Sequence, residues 1–83
     1  MKKIFKYNVA IGPFEVEMPE FSNVMSVQMQ SGVPVMWALV DPEQKMIMRK
    51  FEVHGTGHDI KAAYADFVGT FQTGPLVWHL FEL

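Results

Sequence analysis

The stretch Val24–Val40, VMSVQMQSGVPVMWALV, constrains the fold more than any other part of the chain. Met25, Val27 and Met29 alternate with Ser26, Gln28 and Gln30, which is the period of a strand with one buried face. Val33–Val40 is apolar on both faces and reads as a central strand. Ser31-Gly32 between the two predicts a two-residue hairpin turn, in which glycine supplies the positive φ the connection needs. The register follows: Gln30 faces Val33, Met29 faces Pro34, Val27 faces Met36 and Met25 faces Ala38. Met25, Val27 and Met29 then share a core face with Pro34, Met36 and Ala38. The opposite face sets Ser26, Gln28 and Gln30 beside Val33, Val35, Trp37 and Leu39. Either another layer of the same domain covers that face, or it is a subunit interface or ligand wall. Pro34 has no N–H, so the neighbour on its other side cannot bond there.

The rest of the chain reads as strand after strand. Lys2–Val9 alternates, with Phe5, Tyr7 and Val9 on one side, and Gly12-Pro13 breaks it. Phe14, Val16 and Met18 alternate with Glu15 and Glu17, predicting a hairpin that sets Lys3 and Lys6 against those glutamates. Pro19–Asn23 is a loop with Phe21 tucked into it, and Asp41-Pro42 starts a turn. In Met46–His54, Ile47, Phe51 and Val53 share a face with Arg49, a charge on the apolar parity. A β-bulge, an edge position or a buried anion partner would resolve that conflict. Asp59 can cap a helical turn over Ile60–Tyr64, the one helix candidate. Asp66–Gln72 is a strand with Phe67 and Phe71 on one face and Gly69 between them, Thr73-Gly74-Pro75 turns, and Leu76–Leu83 is the last strand. The expected fold is all-β: a small antiparallel meander, barrel or sandwich of six to seven strands with at most one short helix. Residues 1–83 form a single domain.

Composition narrows the function classes. A chain of 83 residues buries only about 60% of its unfolded surface, so its core is small. Cysteine is absent, which removes disulfides and thiolate metal sites. No apolar run approaches the roughly 20 residues of a membrane-spanning helix. The net charge of −2 offers nucleic acid no general attraction, and no aromatic-basic run suggests a single-strand site, so neither nucleic acid nor membrane is an expected partner.

The candidate chemistry gathers at the fifth strand and the loop after it. His54 and His58 have the i, i+4 spacing of a helical metal pair, but Gly55-Thr56-Gly57 between them breaks a helix. No metal, cofactor or catalytic residue is assigned: the serines have no legible activating partner and the carboxylates form no paired motif. Gly55, Thr56 and Gly57 could offer backbone N–H groups to a phosphate, with Lys50, His54, His58 and Lys61 adding charge. The plain alternative is a tight loop that merely needs glycine. Lys50 and His54 share a strand parity, and the loop is expected to bring His58 back over that face. Val33, Val35, Trp37, Leu39 and Trp78 form the expected interface, because a domain this small has difficulty covering both faces of its two most apolar strands. His79 reads as a satisfied core or interface histidine.

Five segments, Met1–Tyr7, Ser26–Pro34, Trp37–Pro42, Gly55–His58 and Val68–Gln72, together resemble a family of small bacteriophage and prophage proteins of unknown function. The resemblance spans almost the whole chain and brings no catalytic residues. It implies a phage or prophage source, a host bacterial cytoplasm and work by binding. The first expectation is a counter-defence or host-modulating interaction protein, not an enzyme, acting on a host protein. The alternative is a homo-oligomeric sponge for a small phosphate-bearing, cyclic-nucleotide-like signal. In both cases a homodimer or larger homo-oligomer is expected.

Overall fold

A computed structural model of the chain describes residues 1–61 and 65–83. Seven strands run in order: β1 Lys3–Asn8, β2 Gly12–Pro19, β3 Asn23–Gln30, β4 Val33–Val40, β5 Met46–Gly55, β6 Asp66–Thr73 and β7 Leu76–Glu82. They form two antiparallel sheets, β1-β4-β3 and β2-β5-β7-β6, here called sheets A and B. The molecule measures 39 × 32 × 15 Å, and its thin dimension is that of two sheets packed about 10 Å apart. The fold is an all-β sandwich. Of the helix expected over Ile60–Tyr64, Ile60 and Lys61 have no regular structure and residues 62–64 lie outside the described ones.

The Ser31-Gly32 hairpin forms as expected. Both turn residues have positive φ (50° and 79°), and Gln30↔Val33, Met29↔Pro34 and Val27↔Met36 are all paired. β4 is central in sheet A, and β1 covers its other edge. The β1 ladder stops at Asn8↔Val35, one residue short of Pro34, which has no N–H to give. Pro34 still accepts there, from the backbone N–H of the buried Val9 at 3.1 Å.

The strands cross between sheets and do not meander. β1 pairs with β4 and β2 with β5, so no β1–β2 hairpin exists and Glu15 lies opposite Lys50 instead of a β1 lysine. Two bulges also shift the expected faces. In β3 the register slips between Val24 and Ser26, so Val24 takes the place opposite Ala38 and Met25 is 42% exposed. In β6 it slips between Phe67 and Gly69, which leaves Phe71 in the core and sends Phe67 to the outer face beside Phe81. An extra residue in one strand reverses the facing of everything beyond it. The β6 bulge places Gly69 against β3: a Cβ on Gly69 would sit 2.9 Å from Val27 Cγ1. The core between the sheets is built on Met18, Met36, Phe51 and Leu80, each with no exposed surface. Side chains of this kind contribute about 1.5–3 kcal/mol apiece when fully buried.

Arg49 does lie on the core parity, and it has an anion partner. Its guanidinium grips the Glu82 carboxylate at two points, through Nε to Oε2 and through Nη2 to Oε1 at 2.8 Å. Nη1 donates to the Ser22 carbonyl at 2.9 Å. The bond to Glu82 holds the Arg49 pKa above its ordinary value, against the opposing effect of burial.

The turn that Arg49 holds corrects a second expectation. Phe21 is not tucked in; it projects, 80% exposed, with φ at 67°. Ser22 fixes that backbone through its N–H and its hydroxyl, both donating to the Pro19 carbonyl at 3.2 and 2.6 Å. A bulky side chain in left-handed backbone is strained, whereas glycine is not. Phe21→Gly should therefore stabilise the fold by roughly 0.5–1 kcal/mol, raising the melting temperature by about 2–8 °C, while Phe21→Val should lower it. Thermal unfolding followed by circular dichroism checks both signs.

Candidate functional site

At the far end of β5 the chain turns tightly over four residues. The His58 N–H donates to the Gly55 carbonyl at 3.1 Å, and Gly57, third in the turn, has φ at 87°. That is the position where a type II turn requires glycine. The His58 ring folds back on the start of the turn, and its Nδ1 accepts from the Gly55 N–H at 3.3 Å. A Cβ on Gly55 would lie 2.8–3.2 Å from the imidazole atoms. Gly55 is glycine because the His58 ring occupies the space of its side chain.

Between this turn and residues Pro75–Trp78 lies a cavity of about 370 Å³. Gly55, Thr56 and His58 form one wall, and Pro75, Leu76, Val77 and Trp78 form the other. Trp78 is opposite both Gly55 and Phe71. Its indole N–H donates to the Thr73 hydroxyl at 2.9 Å, which fixes the ring as part of the wall.

Three of the turn's four backbone N–H groups are already committed. Thr56 N–H goes to the Val77 carbonyl at 3.2 Å, Gly55 N–H to His58 Nδ1, and His58 N–H to Gly55. Lys50 and His54 point to the opposite side of β5 from Gly55, because side chains alternate along a strand. The structure thus gathers Gly55, Thr56 and His58 at the cavity and leaves Lys50 and His54 out of its walls. The expectation that His58 returns over the Lys50/His54 face is corrected: the ring folds to the Gly55 side, the one side with no Cβ in its way.

His54 sits on the outer face of sheet B, directly opposite His79. Its ring meets Phe81 edge-on at 5.9 Å, and its buried Nε2 has no hydrogen-bond partner. Glu52 Oε2 lies 3.6 Å away, within ion-pair reach but too far for a hydrogen bond. His79 is satisfied on both nitrogens, by Thr56 Oγ1 at 2.8 Å and Thr70 Oγ1 at 3.0 Å. The Thr56 hydroxyl also lies 3.3 Å from the Val77 carbonyl, so it links the His79 ring to the β7 backbone. Among the described residues no three His, Cys, Asp or Glu side chains stand together as metal ligands.

The expected interface residues divide between two places. Val33, Val35, Trp37 and Leu39 alternate onto the outer face of sheet A, as the hairpin register requires. Trp78 does not join them, because it lines the cavity in sheet B. Thr73 and Pro75 lie at the β6–β7 turn and Leu76 and Val77 at the start of β7, where the sequence signals are those of a turn and a strand and not of a site.

Gly55→Ala should push the His58 ring off the turn and break its bond to the Gly55 N–H. In NMR spectra the His58 ring signals should move toward those of a free histidine. The melting temperature should change little, since His58 is exposed.

No curated protein and no solved structure matches the chain. A family model described as a domain of unknown function (DUF7352) matches residues 1–83, and the chain belongs to that family.

Proposed function

We propose that the protein works by binding, as a homodimeric interaction module whose self-association surface is the outer face of sheet A. What carries the reading is the make-up of that face. Its middle row is Val33, Val35, Trp37 and Leu39, with Ile4 alongside on β1. Val33 and Ile4 are 48% and 59% exposed, and Trp37 and Leu39 are half-buried. The sandwich core lies on the other side of the sheet; within the row Val35 alone is buried, 3% exposed, and Val33, Trp37, Leu39 and Ile4 keep open surface.

The flanks favour a second copy as the occupant. Asn8 on β1 and Gln28 and Gln30 on β3 border the row, and amides both donate and accept, so the border is complementary to itself across a two-fold axis. Lys6 is the one charged side chain on the three strands of this face, and its ammonium is bonded to Gln30 Oε1 at 2.8 Å. An apolar centre with an amide rim is the usual anatomy of a protein interface.

The wider role we propose is that of a phage-type accessory protein in a bacterial cytoplasm, a counter-defence or host-modulating factor that engages a host protein. The sponge for a phosphate-bearing signal has less support, because the cavity wall holds no lysine and three of the turn's four amides are spent internally.

Sedimentation velocity of the purified protein tests the dimer. Wild type should sediment as a dimer, and Trp37→Glu should dissociate at least about 30-fold more readily, the effect of losing a central aromatic anchor. Its circular dichroism should be unchanged. A wild type that stays monomeric at every concentration would overturn the dimer.

A further inference from the structure

We propose that the cavity between the Gly55–His58 turn and the Pro75–Trp78 segment binds a small, uncharged, ring-bearing molecule through a single hydrogen-bond acceptor. The inference does not depend on the dimer, since the cavity belongs to sheet B and the proposed dimer face to sheet A.

The size comes first. The site is an open cleft, since Thr56, His58, Pro75 and Leu76 are exposed, and its 370 Å³ has room for a substituted ring, benzene needing about 150 Å³. The wall comes second: Pro75, Leu76, Val77 and Trp78 offer flat or branched apolar surface. Trp78 is held by Thr73, so its shape is set before a ligand arrives. Small-molecule sites are mostly apolar with a few placed polar groups.

The polar groups then select the ligand. Trp78 Nε1, the Thr56 hydroxyl and the Thr56 N–H are each already bonded within the chain. His58 Nδ1 accepts from the Gly55 N–H, so the neutral ring carries its proton on Nε2. That Nε2–H is the one side-chain donor on the wall still without a partner among the described residues. A ligand placed here can satisfy one acceptor, such as a carbonyl or ether oxygen. A phosphate brings several acceptors and a charge, and the wall has neither the donors nor the lysine to meet them.

NMR titration of the full chain with three probes decides it: acetophenone, ethylbenzene and phenyl phosphate. Acetophenone should move the Trp78 indole and His58 ring signals saturably. Ethylbenzene, of the same shape without the acceptor, should bind about 2- to 10-fold more weakly, the worth of one neutral hydrogen bond. Phenyl phosphate should bind more weakly than either. In His58→Ala the preference for acetophenone over ethylbenzene should vanish, while His58→Gln, which keeps an N–H donor, should retain it. Unchanged amide signals in the sheets show that each variant is folded. The proposal is overturned if phenyl phosphate binds tightest, if no probe saturates, or if His58→Ala still prefers acetophenone.

Discussion

The pair Arg49–Glu82 ties together parts of the chain that nothing local would join. The guanidinium on β5 takes the carboxylate at the end of β7 with two N–H groups and the β2–β3 turn with a third. Both side chains are about four-fifths shielded, 18% and 21% exposed. An ion pair so placed gives back little net stability, because desolvation offsets most of its attraction. Its effect is on register. Sliding β7 by one residue would turn Glu82 to the outer face and leave Arg49 unpaired among Phe51 and its neighbours, a loss of several kcal/mol. The bond from Leu83 N–H to the Lys50 carbonyl at 2.9 Å extends the ladder past the pair. With β7 fixed, Leu80 meets the core and Trp78 reaches the cavity wall.

How much of this could be read from sequence depends on how local each signal is. The β3–β4 hairpin was legible because Ser31-Gly32 and the alternation around it sit within a few residues of one another. Arg49 was legible as a conflict but not as a solution, since Glu82 is 33 residues away and the topology alone brings it near. The two bulges were hidden for a different reason. Met25 and Phe67 look like core residues by parity, and only an inserted residue sends them outward. Gly69 was the available clue in β6, because a glycine inside a strand often marks a bulge or a close approach. The β1–β2 hairpin was misread because adjacent alternating segments look like a hairpin even when each completes a different sheet.

The Gly55–His58 loop shows the same limit within the site. Its glycines were read as freeing backbone amides for an anion. They do free the backbone, but the chain uses that freedom on itself: Gly57 makes the turn, and Gly55 makes room for the imidazole. What remains open is a side-chain donor and an apolar wall, which is why the proposed ligand is neutral and not charged. Trp37 and Trp78 group together in sequence because each lies on a strand that is apolar on both faces. Strand alternation separates them, because β4 turns Trp37 outward on sheet A, whereas β7 sets Trp78 between Gly55 and Phe71.

A two-layer sandwich has two outer faces, and charge decides which can meet its own copy. The outer face of sheet B carries Glu15, Glu17 and Glu52, with Lys50 among them. Two such faces brought together across a two-fold axis would oppose like charges and desolvate them, which is costly even where one lysine intervenes. They would also trap the unpartnered His54 Nε2 beneath a second layer. Sheet A has one charge on its outer face, already bonded to a glutamine, and a row of apolar side chains between neutral amides. Glu15, Glu17 and Glu52 thus weigh against self-pairing of sheet B, and sheet A carries no such group of like charges, in keeping with the proposed dimer face. The proposed dimer face and the proposed ligand cavity lie on different sheets, so the two proposals do not compete for the same surface.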